Sequence, residues 1–144
     1  MAKKPNHKID LIKQIPLFGL CTDKEITDIA ALADEISVTA GTVLTKEGSV
    51  GRECFVVIEG KGEATLRGEV LAQFGPGEVI GEMALLDVSP RAATVTATTD
   101  MNLFVLDPRG FSDLLDRHPS VGKRLLASMA RRLRAVENAP TYQH

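Results

Sequence analysis

The sequence predicts a mainly β fold with flanking α-helices: an antiparallel jelly-roll β-barrel, N-terminal helices before it and two C-terminal helices after it. Three observations carry this. Between Ile36 and Asp107, short runs rich in Val, Ile, Thr and Phe are separated by glycines at 41, 48, 51, 60, 62, 68, 75, 77 and 81, which is the punctuation of strands and turns. No helical repeat separates the early runs, which excludes a parallel β-α-β sheet. Helical periodicity and capping signals lie on both sides of this block. With 144 residues, 44% of them hydrophobic and 25% charged, the chain suits a single domain with a full core, spanning 1–144. Its parts are a helical segment at 9–35, a barrel at 36–107 and C-terminal helices at 108–137.

The segment Ile9 to Leu20 reads as helix and turn. Thr22-Asp23-Lys24-Glu25 matches a capping box, in which the Thr hydroxyl and the Glu carboxylate satisfy backbone donors that the first helical turn leaves free. Ile26, Ile29, Ala30 and Ala33 then recur at helical spacing with charges on the other faces. Strands are expected at Ile36 to Ala40, Thr42 to Lys46, Cys54 to Ile58, Glu63 to Leu66, Val70 to Phe74, Ala92 to Thr98 and Met101 to Leu106, with a tight hairpin at Arg67-Gly68. Asp107-Pro108 reads as an N-cap with proline at the first helical position, and this helix ends near His118-Pro119. The last helix, about Pro119 to Val136, carries an apolar stripe of Gly122, Leu126, Met129, Leu133 and Val136, too short for an autonomous coiled coil.

Several functions are excluded early. A net charge of -2 gives no overall pull toward nucleic acid or membrane, so any anion site is local. Cys21 and Cys54 belong to no CxxC pair and read as buried, reduced thiols. The basic start, Met1 to Lys8, leads into a stretch too charged for a signal-peptide core, and no apolar run reaches membrane-spanning length, so a cytoplasmic protein is expected. His7, His118 and His144 all lie outside the expected barrel, which disfavours a metal-dependent barrel enzyme. No nucleophile elbow or P-loop occurs.

The stretch from Gly77 to Val95 is neither turn nor strand. One helical turn over Glu82 to Leu86 would aim free backbone N–H groups at an anion. Arg91, after Ser89-Pro90, offers a planar fork of donors for two phosphate oxygens. Glu82, acceptor-only when ionised, suits a ribose hydroxyl. Either residue alone is more often half of a surface ion pair. Together on one inter-strand loop, with small Ala92 and Ala93 permitting close approach, they favour ligand binding.

Gly81-Glu82-Met83-Ala84-Leu85-Leu86 followed by Pro90-Arg91-Ala92-Ala93-Thr94-Val95 resembles the phosphate-binding cassette, here 81–94, of cyclic-nucleotide-binding domains, the family shared by catabolite-activator-type regulators and regulatory subunits of cAMP-dependent kinase. The resemblance implies that Glu82 holds the ribose 2′-hydroxyl and Arg91 the cyclic phosphate. It places backbone donors at Ala84 and Ala92, with Gly81 and Met83 at the pocket lip. Ala64, Leu71 and Ala72 are weaker pocket-wall candidates, because alternating barrel residues are more often plain core. The ligand so implied is cAMP, with cGMP second, since cGMP-selective members tend to carry Thr where Ala92 stands.

Two departures stand beside the match. The Thr-Ser pair with which catabolite-activator-type regulators touch adenine is missing from the last helix, and the aromatic base cap of other members has only Tyr142 to supply it. Lys123, Arg124, Arg131, Arg132 and Arg134 read as a solvated helix face, and the residues after Val136 are too few for a helix-turn-helix. The expectation is a non-enzymatic cytoplasmic sensor that needs no metal, binds a cyclic nucleotide and passes a conformational change through its last helix to an effector protein or a second subunit, without touching DNA or membrane. The rival is an interaction or scaffold domain that has kept the fold and lost the ligand.

Overall fold

Capping chemistry sets where the first helices begin. In the computed structural model, which describes residues 7–87 and 89–137, α1 (His7–Lys13) is followed by a 3-10 turn at Pro16–Phe18 and by α2 (Asp23–Ala30). The capping box forms as read: Thr22 Oγ1 accepts from the Glu25 N–H at 3.2 Å, and Glu25 Oε1 accepts from the Thr22 N–H at 2.8 Å. Ile26, Ile29 and Ala30 form the buried face of α2.

Among the described residues eight strands follow: β1 (Ala33–Val38), β2 (Val43–Thr45), β3 (Cys54–Glu59), β4 (Gly62–Leu66), β5 (Glu69–Phe74), β6 (Val79–Ile80), β7 (Thr94–Ala97) and β8 (Met101–Leu106). Every ladder is antiparallel. Among the described residues the strands form two separate four-stranded sheets, β1-β8-β3-β6 and β2-β7-β4-β5. Arg67 (φ 53°) and Gly68 (φ 84°) turn the β4-β5 hairpin, the pair of positive φ angles that a two-residue loop of right-handed twist requires.

Strand ends shift by up to three residues from the sequence reading, and two differences have a structural cause. β1 begins three residues earlier, because Ala33, Asp34 and Glu35 pair with Leu106, Val105 and Phe104, and this cross-strand register overrides the local helical pattern. β6 has no counterpart in the sequence reading. It is only Val79 and Ile80, held by pairing with Val56 and Phe55, and two residues carry no periodicity.

β3 explains why Cys54-Phe55-Val56-Val57-Ile58 is apolar without alternation, for it is buried on both faces. Cys54, Val56 and Ile58 join Phe104 and Leu106 in a core shared with Ile12, Phe18, Ile26, Phe111 and Leu125 of the helical layer. Phe55 and Val57 join Leu103, Val105, Ala64, Val95 and Ala97 in a second core that draws on both sheets.

Among the described residues, two helices follow the strands, α3 (Pro108–Arg117) and α4 (Pro119–Glu137). Asp107 caps α3 by accepting from the Arg109 N–H at 3.1 Å, with Pro108 opening the helix. The apolar stripe expected for α4 is not the face that docks. Val121, Leu125 and Ser128 are buried, Gly122 and Met129 are half-buried, and Leu126 and Leu133 are 68% and 59% exposed. The break at His118-Pro119 sets the rotation of α4 against α3 and the Pro16–Phe18 turn, and so selects the face one residue back. The side chain of Val136, the stripe's last member, lies outside the described residues, as do Tyr142 and His144.

Candidate functional site

Residues Gly75 to Ala93 connect β5 to β7, interrupted only by β6. Gly81 takes a left-handed conformation (φ 75°) that most residues avoid, and this bends the chain out of β6 into a 3-10 turn at Glu82–Leu85. The turn closes on itself, since the Ala84 N–H donates to Gly81 O at 3.1 Å. Leu85 buries into the helical core and pins the turn, leaving Met83 44% exposed and Ala84 half-buried.

The far end of the connection is fixed by the β2-β3 loop. The Arg91 N–H donates to Ser49 O at 2.8 Å, Arg91 O accepts from the Gly48 N–H at 2.9 Å, and Val50 bridges Pro90. The Arg91 side chain, half-buried, turns back toward Gly81. Its Nη2 donates to Glu53 O at 2.6 Å, and the guanidinium lies against Gly51 and Gly81. Among the described residues no carboxylate forms a salt bridge with Arg91.

Glu82 is held differently. Its side chain is 17% exposed, its Oε1 accepts from Arg132 Nη2 of α4 at 2.7 Å, and its Oε2 is buried without a partner among the described residues. A buried carboxylate oxygen without a donor is costly, so this is a position where a hydroxyl donor stabilises. Cys54, at the start of β3, reports both charges. Burial pushes its thiol up to about 12, Glu82 adds to the rise and Arg91 opposes it. The thiol is therefore inert at neutral pH.

A cleft of about 420 Å³ opens beside the turn, lined by Met83 together with Met129, Ala130, Arg132 and Leu133 of α4. The structure thus brings Gly81, Glu82 and Arg91 together around Cys54, with Met83 facing α4 across the cleft. Ala92 is exposed next to Arg91. The pocket-wall candidates divide: Ala64 is buried in the inter-sheet core, while its cross-strand partner Ala72 and the adjacent Leu71, 58% exposed, are both exposed on β5.

The profile of one family, described as the cyclic nucleotide-binding domain, matches residues 35–118. The chain belongs to that family. It is similar to the Pycsar effector protein XpPycTIR of Xanthomonas perforans, with 34% identity over 116 residues, or 80% of this chain and 38% of that protein. Among solved structures it is similar to the N-terminal domain of a transcriptional regulator from Streptomyces coelicolor A3(2), with a TM-score of 0.81 and 35% identity, covering 90% of this chain and 94% of that one. It is also similar to the regulatory domain of Toxoplasma gondii PKA crystallised with cAMP, with a TM-score of 0.70 and 30% identity, covering 78% of this chain and 46% of that one. The chain spans between 23% and 61% of the length of the curated relatives it matches.

For a cyclic nucleotide-binding domain, three parts of this site escaped the sequence reading. Arg132 is the partner of Glu82, yet in sequence it is indistinguishable from the four other cations of a solvated helix face. The Glu53 carbonyl anchors Arg91, and no side-chain pattern marks a carbonyl. Gly51 lies against Arg91 but was one glycine among many. Of the histidines, His7 sits in α1 with its ring 6.3 Å from that of Phe104, and His118 ends α3 with Nε2 3.6 Å from Asp28 Oδ2. Among the described residues no cluster of three metal-ligating side chains occurs, and no helix is long and apolar enough to cross a membrane.

Proposed function

We propose that this chain is a regulatory sensor module that binds a 3′,5′-cyclic nucleotide, cAMP ahead of cGMP, and relays its occupancy through α4. The observation that carries the reading is the pairing of two unmet needs. Among the described residues, Arg91 holds a guanidinium with no carboxylate salt bridge, and Glu82 beside it keeps a buried oxygen with no donor. A ligand that presents a singly charged phosphodiester and a nearby hydroxyl answers both. The cyclic phosphate would take the planar fork of Arg91, and the ribose 2′-hydroxyl would donate to Glu82 Oε2. Gly81, Met83, Ala84 and Ala92 would line the same site, and Ala92 in place of a hydroxyl-bearing residue favours adenine.

Relay follows from Arg132. Because it grips the other oxygen of Glu82, a ligand that orders Glu82 also stabilises one position of α4, by as much as its affinity differs between the two positions. In this reading the two sheets make up a jelly roll, residues 1–144 act as one cytoplasmic, non-enzymatic unit, and no metal is needed. Leu126 and Leu133, both exposed on α4, are where an effector protein or a second copy would meet the helix. Calorimetric titration with cAMP and cGMP tests the reading. Saturable binding, tighter for cAMP, is expected; absence of binding to either would leave the ligand-free scaffold as the account of this fold.

A further inference from the structure

We infer that Gly51, on the β2-β3 loop outside the cassette, is a positioning residue for the Arg91 guanidinium, an inference that rests on Arg91 being the anion ligand. Gly51 does not have the positive φ that explains Gly41, Gly48, Gly60, Gly68, Gly77 and Gly81. Backbone geometry therefore gives no reason for glycine there, and space does. A Cβ built on Gly51 would overlap Arg91 Nε and lie 2.6 Å from both Cζ and Nη2. On the opposite side, a Cβ on Gly81 would overlap Arg91 Nη1 and lie 3.3 Å from Cζ and from Glu53 O. The guanidinium is thus held in a slot between two bare α-carbons, with the Glu53 carbonyl at one end accepting from Nη2 at 2.6 Å.

The slot does for Arg91 what a carboxylate partner does elsewhere, but leaves its charge uncompensated. Glycine walls and a neutral carbonyl fix the fork's direction without neutralising it, and a pre-oriented donor set gives up less freedom when an anion arrives. The loop also holds the Arg91 backbone through Ser49 and Gly48, so one segment positions both ends of the residue.

Gly51 separates the two functions of that loop. Atoms that a new methyl would meet belong to the mobile end of a side chain, so Gly51→Ala is accommodated by displacing Arg91 rather than by unfolding. Isothermal titration of the full chain with cAMP, in a cycle of Gly51→Ala and Arg91→Ala, reads the effect. Gly51→Ala alone is expected to keep cooperative melting and to weaken binding at least about tenfold, whereas in the Arg91→Ala background it adds less than about threefold. Gly48→Ala is the control for loop strain: it has φ 81° with nothing within 4 Å of its Cβ, and its effect on affinity should be the same in both backgrounds. Binding by a folded Gly51→Ala protein within about threefold of the wild type overturns the inference, and so does a tenfold loss that recurs without Arg91. If the wild type binds no cyclic nucleotide, the ligand reading fails and melting decides the cradle. A drop on Gly51→Ala confined to proteins that retain Arg91 supports it, and any other pattern overturns it.

Discussion

Two glutamates reach α4 through arginines eight residues apart, and they are satisfied to different degrees. Glu25, at the root of the helix, uses both oxygens. Oε1 accepts from the Thr22 N–H at 2.8 Å and from Arg124 Nε at 2.9 Å, and Oε2 accepts from Ser120 Oγ at 3.0 Å. Glu82, near the tip, uses one oxygen for Arg132 and leaves the other buried and, among the described residues, unpaired. Both side chains are mostly covered, 12% and 17% exposed, so solvent does not account for the difference. A complete network is a fixed joint, whereas Glu82 keeps an acceptor oxygen that a hydroxyl donor can use. In the proposed function, the root of α4 is the fixed point and its tip the end that responds to ligand.

The comparison is broken most severely at the anion end. Arg91→Ala removes the only guanidinium in the glycine slot and should weaken cAMP binding by about 2 to 5 kcal/mol, at least roughly thirtyfold by calorimetry, with the fold retained. A change below about threefold would remove Arg91 from the site. Glu82→Ala should cost about 1.5 to 3 kcal/mol of cAMP affinity, the range for a hydrogen bond to a charged group. Glu25→Ala should do the opposite, lowering unfolding free energy by about 1 to 3 kcal/mol in denaturant titration while leaving the affinity of the folded protein unchanged.

The pH dependence of stability sharpens the same contrast. Burial pushes the Glu25 carboxyl up, but the Thr22 N–H, the Ser120 hydroxyl and Arg124 together hold it below its ordinary value. A carboxyl whose folded pKa is depressed stabilises above its unfolded pKa and loses that contribution as pH falls through the folded one. Melting temperature should thus fall as pH drops through and below the ordinary glutamate range, and Glu25→Gln should flatten that fall. The smallest effect concerns the base. Ala92→Thr should narrow any preference for cAMP over cGMP by roughly 1 kcal/mol, one hydrogen bond, in competition titrations.

What was legible in the sequence follows how locally each feature is encoded. Glu82 and Arg91 stood out because both lie on one connection whose composition fits neither strand nor turn. The capping box at Thr22 and the N-cap at Asp107 were readable because each is complete within four residues. The docking face of α4 was not, since Val121, Leu125 and Ser128 recur at helical spacing as well as the stripe through Leu126 and Leu133 does. Only the helix's rotation against Pro16–Phe18 chooses between them. Arg132 and Gly51 were hidden for a related reason: each acts through a partner 50 and 40 residues away in sequence, and nothing adjacent to them records that distance. The division of the strands into two sheets likewise depends on long-range register, which short Val- and Thr-rich runs leave open.

Amide hydrogen exchange along α4, with and without saturating cAMP, tests the contrast between its two ends most directly. If ligand donates to Glu82 Oε2, protection should rise around Met129 to Arg134 and remain unchanged around Ser120 to Arg124, and Arg132→Ala should abolish the rise at the tip while cAMP still binds. Equal protection along the whole helix in both states, or a change confined to the root beside Glu25, would contradict it.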